Sequence, residues 1–318
     1  MTTYKEINGT NIEAVASDPS NPVDGQVWYN TTSNTVKGVV NNPGSWSTSG
    51  NMTTGRRDLA GAGTQTAALG FGGQTSPGTI SALTETYNGT SWTEVNDLNT
   101  ARNYLGGDGV QTSALAFGGS PPTYALTESW NGTSWTEVAD LNTARRLLSG
   151  AGATNTAMLA FGGDPVIANT ENWNGSSWTE VNDLNTGRSD LAGAGTNTAA
   201  LAFGGNGAPV GQTESWNGTS WTEVADLNIA RREIGGAGTQ TSAIVFGGNA
   251  PSDKNATETW NGTNWTAVGN MSTPRARPGG AGANNTSALA FGGEIPGTTF
   301  NSSENFNSGP VTVTFDVS

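Results

Sequence analysis

The sequence of 318 residues contains neither cysteine nor histidine. Without cysteine the chain forms no disulfide framework and no thiolate metal site. Without histidine it lacks the commonest metal ligand and the commonest general base of proteins. There is also no phosphate-binding glycine loop and no Ser–His–Asp set. We therefore expect a protein that is not an enzyme and that holds neither a metal nor a cofactor.

Basic residues are also scarce, with 13 Lys and Arg against 26 Asp and Glu and a net charge of −13. Nucleic-acid binding requires clustered cations that neutralise phosphate, and here the arginines are spread along the chain. No polybasic run favours anionic lipid, and no apolar run approaches membrane-spanning length. Residues 1–10 lack the layout of a signal peptide. These absences predict no nucleic-acid partner, no membrane insertion and no export by the signal-peptide route.

What the sequence does contain is a unit of about 43 residues that recurs along the chain, a period typical of propeller blades. The most regular copy covers Leu191–Asn228. Phe-Gly-Gly begins at Phe71, Phe117, Phe161, Phe203, Phe246 and Phe291. An aromatic residue followed by Asn occurs at Tyr87, Trp130, Trp173, Trp216, Trp260 and Phe306. A second tryptophan follows at Trp92, Trp135, Trp178, Trp221 and Trp265.

Each unit has room for four short strands, for example Leu59–Gly63, Ala67–Phe71, Thr84–Tyr87 and Ser91–Val95. The last two flank Asn88-Gly89, a strong hairpin signal because both residues tolerate positive φ. The 46 glycines and the abundant Thr, Ser and Asn favour all-β structure with many turns. One such sheet buries little apolar surface, whereas sheets packed face to face in a closed ring bury a continuous core. The fold class predicted is an all-β β-propeller of four-stranded blades.

Two blade counts fit this pattern. We prefer seven blades, in which the first 49 residues form the odd blade and Gln26–Asn30 is its second strand. In that arrangement Val311–Phe315 is the outer strand of the last blade. The alternative is six blades, with the strand of Trp46 added to the C-terminal unit. The domain division predicted is an arm or attachment segment over residues 1–22 and the propeller over residues 23–318.

The recurring motifs resemble those of the kelch-repeat propellers. The Gly-Gly pair that closes the second strand, the aromatic residue before a turn and the tryptophan a few residues later are all present over residues 45–309. One departure is the turn itself, which is Asn-Gly here and usually of the Tyr-Asp type in that family. The resemblance implies a kelch-like β-propeller.

A second resemblance concerns Asn21–Lys37, which is similar to a segment near the start of tailed-bacteriophage tail, fibre and appendage proteins. It implies a structural or host-recognition component of a virion, such as a tail, fibre or capsid appendage, attached to other virion proteins through its N-terminal segment. Its partner on the host would be a cell-surface glycan or protein. The chain would be made in the host cytoplasm and leave in the particle. The alternative is a free, glycan-binding, lectin-like propeller of bacterial origin.

The repeated charges suggest a ring of structural ion pairs between blades. Each arginine ten residues after a tryptophan follows a glutamate by 17 residues, and we expect it to reach that glutamate in the preceding blade. The predicted pairs are Glu85 with Arg102, Glu128 with Arg145, Glu171 with Arg188, Glu214 with Arg231, and Glu258 with Arg275. A ligand-binding ring is the alternative for these residues. Trp46 and Arg56 are also ten residues apart, like each later tryptophan and its arginine.

Two further recurring residue types have competing interpretations. Trp135, Trp178 and Trp221 are expected to pack between blades, the alternative being a platform for sugars. Asp97, Asp140, Asp183 and Asp226 are expected to make local turn hydrogen bonds. The alternative for them, calcium, is disfavoured because one carboxylate per loop is sparse for an ion that takes six to eight oxygens.

The loops between the second and third strands differ in length and sequence, while the other turns hardly change. They span Gln74–Leu83, Ser120–Leu126, Asp164–Asn169, Asn206–Gln212, Asn249–Ala256 and Glu294–Asn301. Variation confined to one face of a repetitive scaffold is typical of a recognition surface, although unconstrained drift gives the same pattern. The candidate ligand-binding residues on this face are Tyr124, Asp164, Asp253, Lys254 and Phe300.

Overall fold

The computed structural model of the protein describes residues 12–76, 78–206, 211–249 and 255–315. Over these ranges the chain is all-β and contains no helix, so no described segment has the form of a membrane-spanning helix. The chain divides into two compact units. The larger is Ser45–Phe306, and the smaller contains the residues before Ser45 and after Phe306.

The larger unit repeats one four-stranded antiparallel sheet. Its innermost strands are β4 (Ala60–Thr64), β8 (Gly106–Val110), β12 (Ser149–Thr154), β16 (Ala192–Thr196), β20 (Gly235–Thr239) and β24 (Gly279–Asn284). The second strands are β5 (Ala67–Phe71), β9 (Ser113–Phe117), β13 (Ala157–Phe161), β17 (Ala199–Phe203), β21 (Ser242–Phe246) and β25 (Ser287–Phe291).

The third strands are β6 (Thr84–Tyr87), β10 (Thr127–Trp130), β14 (Thr170–Trp173), β18 (Thr213–Trp216), β22 (Thr257–Trp260) and the start of β28 (Ser303–Phe315). The outermost strands are β7 (Trp92–Val95), β11 (Trp135–Val138), β15 (Trp178–Glu180), β19 (Trp221–Val224), β23 (Trp265–Ala267) and the end of β3 (Thr35–Ser49). The remaining strands are β1 (Glu13–Val15), β2 (Val27–Asn30) and the short pair β26 (Glu294–Ile295) and β27 (Thr298–Thr299).

The innermost strands of the larger unit form a closed ring of six. Each neighbours the next, and β24 neighbours β4. Their Gly and Ala residues make this approach possible. A Cβ added to Gly61 would lie 2.3 Å from the carbonyl oxygen of Gly280. Six propeller-like blades therefore surround one axis within the larger unit.

The preferred count of seven blades is thus not confirmed, and the ring follows the six-blade alternative. In the sixth sheet, β28 lies between β25 and β3, so the outer strand carries Trp46 rather than Val311. The segment assigned to the odd blade has no Phe-Gly-Gly and supplies one strand to the larger unit, the end of β3 that carries Trp46. Its β2 pairs in parallel with β1 and antiparallel with β3, inside the smaller unit. Along the chain, the compact units divide between Gly44 and Ser45 and between Phe306 and Asn307.

The tryptophans of the outer strands lie between blades. Trp135 is 5% exposed, packs against Phe71 of the preceding blade with ring centroids 4.9 Å apart, and donates its indole N–H to Thr84 Oγ1 of that blade. The same bond to the preceding blade, at 2.9–3.1 Å, is made by Trp178, Trp221, Trp265, Trp46 and Trp92. Packing between blades is confirmed for these residues, and the sugar platform is wrong because the rings are buried.

Within the smaller unit, three side chains of β2 and β3 contact one exposed carboxylate. Asp18 accepts hydrogen bonds from Lys37 Nζ, Asn30 Nδ2 and Trp28 Nε1 at 2.7–3.0 Å. These bonds, led by that of Lys37, lower the pKa of Asp18 to about 2. Trp28 is fully buried. The bonds therefore tie the segment before β2 to the β2–β3 pair.

Candidate functional site

Six buried arginines connect each blade to the next. The main chain of Arg102 belongs to the preceding blade, since its carbonyl accepts a hydrogen bond from Gly73 N and its N–H donates to Ser81 O. Its guanidinium enters the following blade, where it donates to the carbonyls of Gly118 and Leu126 and lies 3.1 Å from a Glu128 oxygen. The same Gly–Arg bond joins Gly293 to Arg56 and closes the circle.

The predicted partners of these arginines are wrong. Each arginine pairs with the glutamate 26 to 29 residues after it, in the following blade, and not with the one 17 residues before it. The observed pairs are Arg56–Glu85, Arg102–Glu128, Arg145–Glu171, Arg188–Glu214, Arg231–Glu258 and Arg275–Glu304, at 2.7–3.1 Å. The reason is that each arginine directly precedes the innermost strand of the following blade and its side chain points into that blade. There are six ion pairs rather than the five predicted, because Arg56 and Glu304 also take part.

These ion pairs lie away from solvent, since every one of the six arginine side chains is fully buried. Burial lowers the pKa of Arg231 to about 10, against the opposing effect of Glu258. The guanidinium therefore stays charged at neutral pH. Glutamate oxygens also accept main-chain N–H groups, as Glu171 does from Asn142 and Thr143. The set is a structural frame, and it fixes the two residues that follow each arginine.

The residue directly after each arginine forms one antiparallel bridge to the start of a variable loop. The bridges are Arg57–Gln74, Asn103–Ser120, Arg146–Asp164, Ser189–Asn206, Arg232–Asn249 and Ala276–Glu294. The variable loops thus begin from fixed points at the same end of the ring. Asp164, one of the predicted ligand residues, is here. Its carboxylate lies 2.9 Å from Arg146 Nε in a partly exposed ion pair.

The second residue after each arginine has a left-handed main chain. These six positions, which we call the mouth ring, are Asp58, Tyr104, Leu147, Asp190, Glu233 and Arg277, with φ between 54° and 57°. Each N–H donates to the carbonyl of the ring residue one blade earlier, at 2.7–3.4 Å, and Asp58 N donates to Arg277 O. Residues other than Gly, Asn or Asp rarely adopt this main-chain conformation. A closed circle of main-chain hydrogen bonds holds it at every position.

Side-chain identity varies in the mouth ring and at the bridge position directly before it. The ring holds acids, a base, an aromatic and an aliphatic residue, and the position before it holds Arg, Asn, Ser or Ala. The signal was present in the sequence, because these two positions change chemistry from unit to unit between a constant arginine and a nearly constant Leu, Ile or Pro. The loops vary more visibly, because their lengths differ as well as their residues.

One half of the mouth ring is linked by ion pairs. Arg277 lies 2.9 Å from a Glu233 oxygen, 3.5 Å from Asp58 and 3.3 Å from Glu294, and its guanidinium faces the Tyr104 ring at 5.6 Å. Burial alone would lower the pKa of Arg277, but Asp58 and Glu233 outweigh it and raise that pKa. Arg57 also pairs with Glu294. Burial raises the pKa of Asp58 to about 7 in spite of both arginines.

The other half contains Tyr104, Leu147 and Asp190. Among the described residues no cation lies within 4.0 Å of the Asp190 carboxylate, which accepts a hydrogen bond from Ser189 Oγ at 3.5 Å. Burial, followed by the repulsion of Glu233, raises the pKa of Asp190 to about 6, against the attraction of Arg277 and Arg232. A cavity of about 100 Å³ lies inside the mouth ring. Its apolar lining comes from the next residue of each blade, namely Leu59, Leu105, Leu148, Leu191, Ile234 and Pro278.

A second cavity, of about 150 Å³, is lined by the innermost strands. Its wall is mostly Gly, Ala and the aliphatic residues at the strand starts, and it includes Asp108, which stands where the other five units have Ala. The Asp108 carboxylate accepts hydrogen bonds from Gly109 N at 2.8 Å and from Gly152 N of the next blade at 3.0 Å. Burial raises its pKa to about 7. Asp108 therefore spans two blades from inside the ring.

The predicted loop residues have different positions. Tyr124 is half-buried and its carbonyl accepts the N–H of Arg145, so its main chain belongs to the frame. Phe300 is also half-buried, and its ring faces the Arg275 guanidinium at 5.3 Å. Asp253 and Lys254 lie outside the described residues. The structure brings none of the described three into the mouth ring.

The repeated aspartates bond to their own blade. Asp97, Asp140, Asp183 and Asp226 each accept a hydrogen bond from the main-chain N–H of the first residue of the third strand, at 3.0–3.2 Å. Local turn hydrogen bonds were expected, but the donor is 13 residues away, so the aspartates instead join the end of the fourth strand to the start of the third. No group of three or more acidic residues in the described part of the chain has the arrangement of a metal site.

No family model matches the chain, and a search of the curated proteins found no match.

Proposed function

We propose that this protein is a non-enzymatic recognition component of a bacteriophage virion, a tail, fibre or capsid appendage that presents the mouth end of its propeller to the host surface. The observation that carries the proposal is the contrast between frame and mouth. Six arginines, six glutamates and six tryptophans repeat unchanged, while the mouth ring holds five different residue types in six units and the adjoining loops differ in sequence. A scaffold that keeps its frame and varies one end suits binding rather than catalysis.

The attachment role rests on the smaller unit. Asn21–Lys37 resembles phage appendage segments, and its residues Trp28, Asn30 and Lys37 hold Asp18 between them. We propose that this unit joins the propeller to other virion proteins. A compact unit of its own is a suitable connector, because it supplies none of the six innermost strands that form the closed ring.

The experiment follows incorporation into particles. Phage particles are assembled with the wild-type chain or with Asp18→Asn, and the copies of the chain per particle are measured by quantitative mass spectrometry. We expect incorporation of the wild type and a several-fold loss with Asp18→Asn, with unchanged incorporation for the exposed control Asp24→Asn. Absence of the wild-type chain from purified particles would overturn the virion proposal.

The alternative is a free glycan-binding propeller of bacterial origin. A glycan array probed with the full chain separates the two proposals. Sugar binding by a protein that never enters particles favours the lectin, whereas incorporation with binding to host cells favours the virion component. The buried tryptophans supply no sugar platform, so a lectin would have to use the mouth ring or the variable loops.

A further inference from the structure

We infer that the mouth ring is a receptor for a primary alkylammonium group, with Asp190 as the anion that binds it and Leu147 and the apolar floor as the surface for its stem. The inference deepens the proposed recognition function by naming the chemistry of its ligand. It also stands on geometry that is independent of where the protein acts.

The charge of the site is divided unequally. On one side of the ring Arg277 pairs with both Glu233 and Asp58. Asp190 has Leu147 and Glu233 as its ring neighbours and no described cation within 4.0 Å, although Arg277 and Arg232 attract it from a longer distance. A half-buried carboxylate with no ion pair at contact distance favours a cationic partner, because burial without such a partner destabilises its charged form.

A second, separate observation concerns Asp58, which faces the same cavity from the opposite position of the ring. Its side chain is 2% exposed, and its Oδ2 accepts no hydrogen bond from the described residues, although Arg57 Nε lies 3.4 Å away. Buried polar oxygens nearly always have a donor. The cavity thus contains a second acceptor that a ligand with N–H groups would satisfy.

Size and shape select among cations. The cavity of about 100 Å³ is well below the roughly 300–1,000 Å³ of drug-sized sites, so it admits a group of a few atoms. Its floor of Leu, Ile and Pro side chains suits methylene groups rather than a hydrated ion. Metal ions such as calcium need six to eight oxygens, which one unpaired carboxylate does not supply. An ammonium with its three donors on an alkyl stem fits these conditions.

Two sources present this chemistry, a free aliphatic diamine and the lysine side chain of a partner protein. The experiment measures calorimetric binding of the full chain to butylamine, to 1,5-diaminopentane, to a short peptide with one lysine, and to 1-butanol. We expect both amines to bind and butanol not to bind. Binding of the lysine peptide identifies a protein source, and binding of the amines without the peptide identifies a small-molecule source. Equal binding of butanol would overturn the inference.

The variants isolate Asp190. Asp190→Asn keeps the shape, and Asn tolerates the left-handed main chain, so the variant is expected to fold, which its melting curve checks. We expect amine affinity to fall at least tenfold. The control Glu137→Gln removes one charge from an exposed outer strand and is expected to bind like the wild type. Unchanged binding by Asp190→Asn, or an equal loss in Glu137→Gln, would contradict the assignment.

The pH dependence of amine binding is a further test of the role of Asp190. Lowering the pH from 7.5 to 5 protonates Asp190 and is expected to weaken amine binding about tenfold, given a pKa of about 6. Asp58, Glu233, Arg277, Arg232 and Tyr104 also face or adjoin this carboxylate, so the drop is compared with that of Asp190→Asn. A drop of equal size in the variant would assign the effect to another group and remove this support. If amines bind but the chain neither enters particles nor binds host cells, only the virion proposal fails.

Discussion

The guanidinium of Arg145 lies 3.1 Å from the carboxylate of Glu171, which follows it by 26 residues in the chain and belongs to the blade ahead of it. The main chain of Arg145 is held at the same time by Gly119 of the blade behind. One residue therefore fixes two blades. The same bonds occur at all six junctions between neighbouring blades.

The first prediction concerns this pair. Glu171→Gln leaves the Arg145 charge buried without its counter-ion and replaces an acceptor of main-chain N–H groups. We expect the free energy of unfolding to fall by about 3–5 kcal/mol, the usual cost of removing one partner of a buried ion pair. Chemical denaturation measures it. Glu137→Gln, on an exposed outer strand, is the control and should change stability by less than about 0.5 kcal/mol. A loss below about 1 kcal/mol for Glu171→Gln would contradict the structural role.

The second prediction concerns the tryptophan junctions. Trp178→Phe keeps an aromatic ring against Phe117 but removes the N–H that donates to Thr127 Oγ1. Thr127→Val removes the acceptor from the other side. We expect each variant to lose about 1–3 kcal/mol and the double variant to lose less than the sum, because both remove one hydrogen bond. A double-mutant cycle of denaturation curves tests this coupling, and strict additivity would count against the bond between blades.

The third prediction concerns the left-handed main chain of the mouth ring. At most positions Ala is more stable than Gly because glycine loses more conformational freedom on folding. At Leu147, with φ of 56°, a side chain is strained and glycine is not. We expect Leu147→Gly to be more stable than Leu147→Ala by about 1 kcal/mol, as judged from unfolding midpoints. The ordinary order, with Ala ahead, would show that the ring does not impose this conformation in solution.

The fourth prediction concerns pH. A raised pKa means that the folded state binds the proton more tightly than the unfolded chain does. The contribution of Asp108 to stability is therefore fully present below about pH 4 and is lost as the pH rises toward about 7. We expect Asp108→Asn to reduce the loss of stability between pH 4 and pH 7.5 by about 2 kcal/mol, since the charged form no longer has to be buried. Unfolding curves across that range measure the difference, and parallel curves for the two proteins would contradict it.

Much of the fold followed from the sequence because the repeats determine it locally. Phe71 at the end of a strand, Gly72-Gly73 after it and the Asn88-Gly89 turn each specify their own surroundings, and β5 and β6 have the bounds expected for them. The number of blades did not follow, because it depends on whether Trp46 reaches Thr257, a contact across 211 residues. No local pattern encodes such a distance.

The candidate site was harder to predict for a related reason. The partner of Arg102 was assigned by spacing along the chain, and spacing alone does not distinguish the glutamate behind from the glutamate ahead. The mouth ring depends on a left-handed main-chain conformation that its residue types do not indicate, since Leu and Tyr seldom adopt the positive φ seen at Leu147 and Tyr104. Only the closed circle of hydrogen bonds makes these six positions equivalent.

The closing strand of the ring has a consequence for synthesis. Ser45–Ser49 leaves the ribosome before every other strand of the larger unit, yet its neighbour in the sheet, Ser303–Phe306, is made last. The first strand must wait, unpaired, while five complete sheets form behind it, and contacts so distant in sequence are slow to form. During that interval Ser45–Ser49 has no strand to pair with in its own chain. A neighbouring copy that has completed its last sheet could supply that partner strand. We therefore expect exchange of this strand between copies to be the folding error that high protein concentration favours.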